Sequence, residues 1–265
     1  MWKLSCKGLM TVLGAIAVTG LTARTANAAD DKWATIKGQV VFAGAAPARK
    51  ELSVNKDQAN CLSKGPVFSD ELVVNKDNKG VKSVFVWITK EDGSKPPIAP
   101  TAGSPKEKQV LLDQPVCAFI PHAMAIREGQ DVVVKNTAPI SHNVNWSGGT
   151  KNPGNNKIVV AGGTLKLEPP FKASKQAVKV SCNIHGWMEG WIRVFDHPYY
   201  AVTDADGKFE IKDAPVGNYK IWYWLGGSNK GAGWKDGAAG ANGFPLTIKS
   251  GDNDLGKVDW KPKDD

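Results

Sequence analysis

Cys182-Asn183-Ile184-His185-Gly186-Trp187-Met188 sets a thiol, an imidazole and a thioether at three-residue intervals, directly after the Val-rich run 177–181. A loop leaving a strand with that spacing turns all three side chains toward one point. A second imidazole waits forty residues upstream, His142 in Ser141-His142-Asn143-Val144, beside another strand-like run at 143–146. Two imidazoles, one thiolate and a weak axial thioether form the trigonal ligand set that suits copper in both oxidation states. Zinc is the nearest competitor, but it prefers four strong tetrahedral ligands, and methionine is a poor one. Met188 alone would read as core filler. Its spacing from Cys182 and His185 makes it a ligand.

Outward from this loop the chain reads as all-β. Short Val/Ile/Phe/Trp/Tyr runs bounded by Gly, Asn, Asp and Pro recur, and no convincing amphipathic helix follows the N-terminal leader. The expected strands are 35–41, 83–88, 109–112, 131–135, 143–146, 157–160, 177–181, 191–195, 208–211 and 219–224. The Pro/Lys/Ser-rich stretch 91–108 reads as a surface linker, since adjacent prolines cannot enter a sheet interior. A second boundary falls near His197-Pro198. The expected division is therefore a leader at 1–28, an N-terminal β region at 29–107, the metal-bearing segment at 108–197 and a C-terminal β region at 198–265.

With these residues quoted, the central segment resembles the cupredoxins, the blue copper proteins, and its C-x-x-H-x-x-M spacing is similar to the amicyanin type. The run Gly129-Gln130-Asp131-Val132-Val133-Val134-Lys135-Asn136 also matches the strand that leads into the first histidine ligand. The resemblance implies a Greek-key β-sandwich holding one type 1 copper ion through His142, Cys182, His185 and Met188. It further implies that Asn143 ties the two ligand loops together by hydrogen bonding, that His185 is the exit for the electron, and that the partner is another redox protein. The flanks resemble a different family. Gly38-Gln39-Val40-Val41, Val84-Phe85-Val86-Trp87, residues 203–211 and Pro215-Val216-Gly217-Asn218-Tyr219 are similar to the carboxypeptidase regulatory-like, or transthyretin-like, β-sandwich. That resemblance implies one flanking sandwich split by, or lying beside, the copper segment.

Other residues take plainer readings. Trp187, between His185 and Met188, is placed to shield the metal from water, while most of the ten tryptophans are expected in cores. His122 and His197 lack ligand spacing and read as structural. Once copper claims Cys182, Cys61 and Cys117 are the remaining pair for a disulfide in an oxidising compartment. Asp204-Ala205-Asp206-Gly207 reads as a hairpin turn, because the glutamate that a calcium loop needs downstream is missing.

Lys3 and Lys7 precede an apolar stretch, 8–21, that is short for a bilayer span, and Ala26-Asn27-Ala28 offers a signal-peptidase site. A periplasmic or secreted product is expected, cut near Ala28, with no integral membrane segment in the mature chain. That cut removes three basic residues and no acidic one, bringing the formal charge of +8 to +5. The lysines are scattered, with no block that suits nucleic acid. No open metal position or acid/base pair points to an enzyme. Two alternatives use the same residues differently: a copper carrier or storage protein, or a carbohydrate-binding or surface-attachment module built on Trp222-Tyr223-Trp224.

Overall fold

The computed structural model describes residues 1–2, 32–227, 234–235, 238–239 and 243–260. The expected leader lies outside them apart from its first two residues. Among the described residues the chain is all-β, with strands β1 (Trp33–Phe42), β2 (Val84–Thr89), β3 (Gln109–Asp113), β4 (Ala123–Arg127), β5 (Asp131–Lys135), β6 (His142–Ser147), β7 (Asn155–Val159), β8 (Thr164–Lys166), β9 (Val178–Ser181) and β10 (Glu189–Phe195). The series continues with β11 (Tyr200–Val202), β12 (Lys208–Pro215), β13 (Gly217–Leu225), β14 (Trp234–Lys235), β15 (Ala238–Ala239), β16 (Phe244–Ile248) and β17 (Gly251–Trp260). One four-residue α-helix, α1 (Gln58–Cys61), interrupts the N-terminal flank.

Two sandwiches lie back to back. The first holds the sheets β12-β1-β17 and β11-β2-β13-β16, so strands from both ends of the chain share each sheet. Its core joins Ile36, Val40, Val84, Val86 and Ile88 to Phe209, Ile211, Ile221, Tyr223 and Val258. The second pairs the sheet β4-β10-β9-β6-β7 with β3-β5-β8, and its core includes Leu112, Val132, Val134, Ile126, Val144, Val180 and Ile192. Between them runs a seam of Phe85, Trp87, Ala123 and Phe195, with Trp191, Trp222 and Trp224 packed on it.

The period-two alternation of strand side chains explains the seam. In β13, Tyr219, Ile221, Tyr223 and Leu225 are buried in the first sandwich, while Trp222 and Trp224 project from the opposite face. β2, covered on both sides, is apolar from Val84 to Ile88 without alternation. The Trp222-Tyr223-Trp224 cluster therefore divides between a core and an inter-sandwich face.

The stretch 91–108 forms no strand, yet it is held rather than loose. The Tyr199 hydroxyl donates to the Pro97 carbonyl at 2.8 Å and accepts from the Ala99 N–H at 2.9 Å. The Arg127 guanidinium donates to the carbonyls of Ala102 and Gly103. The stretch 204–207 is a tight turn, closed by the Asp204 N–H donating to the Lys208 carbonyl at 3.0 Å, but it is not the expected hairpin, because the strands it joins, β11 and β12, pair in different sheets. Its Asp206 carboxylate accepts from the Asn75 and Asn78 amides rather than facing an ion site. Gly80 is required there, because a Cβ on it would sit 2.0 Å from the Asp206 carbonyl oxygen.

The segment between β1 and β2 does not stay with its own sandwich. Val54, Cys61 and Val67 pack on the core of the second one, across the end that carries the 182–188 loop. Cys61 in α1 is disulfide-bonded to Cys117, fixing this strap in place.

Candidate metal centre

Register brings the histidine and cysteine ends together. β6 and β9 are antiparallel neighbours with Asn145 opposite Ser181. Following β6 back to His142 therefore runs its partner forward into the 182–188 loop. Two backbone hydrogen bonds close that loop: the Cys182 N–H donates to the Met188 carbonyl at 3.1 Å, and the Met188 N–H to the His185 carbonyl at 2.9 Å. His142, Cys182, His185 and Met188 are all buried, none above 2% exposed.

Inside, the His142 and His185 Nδ1 atoms stand 2.9 Å apart and Cys182 Sγ lies 3.9 Å from His185 Nδ1. The three donor atoms lie within 4.8 Å of one another. Met188 is buried in the same core, on the closing residue of the loop.

Asn143, one residue after His142, holds the loop to the strand. Its Oδ1 accepts the Asn183 N–H at 2.8 Å, the Ile184 N–H at 3.1 Å and the Cys182 thiol at 3.2 Å. Its Nδ2 donates to Asn156 at 2.7 Å. Two further amides extend this frame. Gln114 donates to the Asn143 carbonyl at 3.2 Å. Asn136 donates to the carbonyls of Ile140, Val159 and Val160, fixing the turn that enters His142.

The other face of His185 is covered. Asp57, the N-cap residue of α1, accepts a hydrogen bond from His185 Nε2 at 2.8 Å. The sulfurs of Cys61 and Cys117 lie within 4.8 Å of a His185 ring nitrogen. The Trp187 ring sits 5.2 Å from the imidazole, centroid to centroid. His185, implied as the electron exit, is itself buried, with its Nε2 edge covered by Asp57 and flanked by the disulfide and Trp187. Asp57 is 128 residues away in sequence and carries no motif. Only the disulfide partner Cys61, four residues on, hinted that this stretch comes near the metal-bearing segment.

The tautomers test whether a cation fits. A carboxylate oxygen accepts the Nε2 hydrogen of His185, which leaves Nδ1 as the nitrogen that faces His142 and Cys182. Burial, reinforced by the nearby His185, pushes the His142 imidazole down to about 4, so this ring is neutral at pH 7. Its Nε2 is buried without a partner. Across the 2.9 Å contact one Nδ1 donates its hydrogen to the other, and a cation taking the place of that hydrogen would meet two imidazole nitrogens and a soft sulfur in a buried pocket, a donor set that suits a soft cation.

His122 and His197 stand apart from this cluster. His122 Nδ1 bonds the Glu189 carbonyl at 3.0 Å, and His197 Nδ1 accepts the Tyr199 N–H at 3.1 Å. Both are structural.

No family model matches this chain, and no curated protein matches it. Among solved structures it is similar to the Cu(I) form of a methionine-to-alanine variant of amicyanin, at 16% identity and a TM-score of 0.30, over 42% of this chain and 98% of that one. A reduced tryptophan-to-tyrosine variant of amicyanin aligns at 17% identity and a TM-score of 0.30 over the same shares. The Cu(I) form of another methionine-to-alanine variant aligns at 13% identity and a TM-score of 0.30, over 43% and 99%.

Proposed function

We propose that this chain is an exported electron carrier, binding one type 1 copper ion through His142, Cys182, His185 and Met188 and passing single electrons between protein redox partners. The observation that carries the reading is the buried meeting of two imidazole Nδ1 atoms and the Cys182 sulfur, with Met188 closing the same loop. Copper, when bound, supplies the one-electron couple. Cys182 would hold the ion by its thiolate, His142 and His185 by their imidazoles and Met188 by its thioether. Asn143 holds the thiol against the loop backbone, and Asn136 and Gln114 hold Asn143's strand, so the donor set is pre-positioned. Trp187 keeps water from the His185 side.

The division of the chain belongs to the same reading: residues 29–107 and 198–265 build one sandwich around an inserted 108–197 segment, supported by the shared sheets of β1, β2, β12, β13 and β17. Export is supported by the leader-like 1–28 and by the Cys61–Cys117 disulfide. Among the described residues no helix is long and apolar enough to cross a membrane.

The test is to add Cu(II) to the purified protein and record visible and electron paramagnetic resonance spectra beside a Cys182→Ser control. An intense blue charge-transfer band with narrow copper hyperfine splitting, lost in the control, is the expected result. A colourless protein that takes up zinc sinks the reading. Copper retained through repeated oxidation and reduction separates an electron carrier from one that hands the ion to an acceptor.

A further inference from the structure

The seam between the sandwiches opens into a cleft of about 890 Å³. Trp87, Trp222 and Trp224 line one wall, and Trp191 and Arg193 on β10 line the other. Arg193 and Trp191 are two residues apart on one strand, so they share a face. The Arg193 guanidinium lies 4.0 Å from the Trp87 ring centroid and 5.7 Å from that of Trp224. It has rings around it but no carboxylate in contact, and its Nε is buried without a hydrogen-bond acceptor. Trp191 Nε1 is buried and unsatisfied too, but it lies against the Gly226 backbone, where a Cβ would come within 2.8 Å of it.

A buried cation without a counter-ion is costly, and so is an orphaned donor. Burial alone pushes the Arg193 guanidinium down to about 10, with no acidic neighbour opposing the shift, and at pH 7 it remains charged. The surroundings add positive charge. Lys175 and Lys220 also line the cleft, and Lys95 and Lys151 line an adjoining hollow of about 360 Å³ on the far side of Arg193. Glu91 and Asp92 lie at the cleft as well, without reaching Arg193. Trp222 is stacked on Trp87 with their planes 4° apart, so the wall is flat.

We propose that this cleft binds a carboxylate carried on a flat or ring-shaped organic molecule, its oxygens received by the terminal nitrogens of the Arg193 guanidinium and its ring laid against the tryptophan wall. A planar guanidinium matches a carboxylate, and an indole face takes either an aromatic ring or the flat side of a sugar. The site does not depend on the copper reading, because neither Arg193 nor Trp191 is among the candidate ligands.

Isothermal titration of the purified protein with benzoate and with tri-galacturonate, each beside its methyl ester, tests the proposal. At least one acid is expected to bind at a single site with a dissociation constant below about 1 mM, and its ester about tenfold more weakly. Benzoate binding identifies an aromatic acid as the ligand type, and tri-galacturonate binding an acidic glycan; either supports the site. Arg193→Gln is expected to cost about tenfold, since it removes a charge-assisted hydrogen bond. Arg193→Lys, which keeps the charge but not the planar fork that matches a carboxylate, is a milder second variant that weakens binding without threatening the fold. Failure of both acids to bind overturns the proposal, as do acids and esters that bind alike, or affinities that neither variant changes.

Discussion

At the scale of single residues, Asp57 is the group whose removal is most informative. A carboxylate on the outer nitrogen of a metal-bound imidazole fixes the tautomer and raises ligand basicity, and losing such a partner typically costs about tenfold or more in metal affinity. Asp57→Asn keeps a hydrogen-bonding side chain but removes the negative charge that favours Cu(II) over Cu(I). A tenfold loss confined to Cu(II) raises the reduction potential by about 60 mV. Voltammetry together with a Cu(II) competition titration measures both quantities. An unchanged potential and affinity would mean that the 2.8 Å contact to His185 does not couple to the metal. A readout independent of copper exists too: in metal-free protein the His185 Nε2–H exchanges with solvent faster in Asp57→Ala, as seen by proton NMR. The candidate donors Cys182, His185 and Met188 were legible in the sequence, since a fixed spacing on one loop is a local pattern. Asp57 was not, because its role arises only when a distant strap folds across the site.

At the scale of elements, that strap is held by the disulfide. Cys61 and Cys117 are separated by 56 positions. Closing a loop of that length removes enough unfolded-state entropy to stabilise the fold by about 4 kcal/mol. The Cys61→Ala/Cys117→Ala protein is expected to lose about that much in guanidinium melts. It is also expected to expose His185, which diethyl pyrocarbonate would then modify faster in the metal-free state, as mass spectrometry would show. Stability lost without faster modification would separate the staple from the cover. Strand by strand, runs rich in Val, Ile and aromatics announced β1, β2, β5, β6, β9, β10 and β13, with ends displaced by a residue or two. β4 was not foreseen, because Ala-Met-Ala-Ile-Arg carries residues that favour helices and takes its strand form from parallel pairing with β10. β17 was hidden for a related reason. Its Gly-Asp-Asn-Asp start has poor strand propensity, and parallel pairing with β1 along Ala34 to Phe42, together with burial of Val258 and Trp260, overrides it.

At the scale of the whole molecule, the two sandwiches meet along a seam that carries a buried titratable group. His197 is 3% exposed, between Phe195 and Tyr199, whose rings lie 5.7 and 5.8 Å from it. Tyr199 in turn pins the 97–99 stretch, so this histidine sits where the second sandwich, the linker and the first sandwich converge. Burial pushes its imidazole down to about 4, and Arg127, Lys95 and Arg193 act in the same direction against Asp196. The sign follows from where the proton goes. Above pH 6.5 the ring is neutral in both folded and unfolded chains and contributes no pH dependence. As pH falls from 6.5 toward 4, the unfolded chain takes up a proton that the folded chain refuses, so stability falls, by about 3 kcal/mol across the window. The metal-free protein has a second such group in His142, so the cleaner measurement compares the protein with its His197→Asn variant. Chemical denaturation of both at intervals between pH 4 and pH 7 should give a difference curve that rises with pH and flattens near 6.5. Parallel pH dependences would show that the His197 ring is protonated in the folded state, and that the seam is wetter than its packing implies.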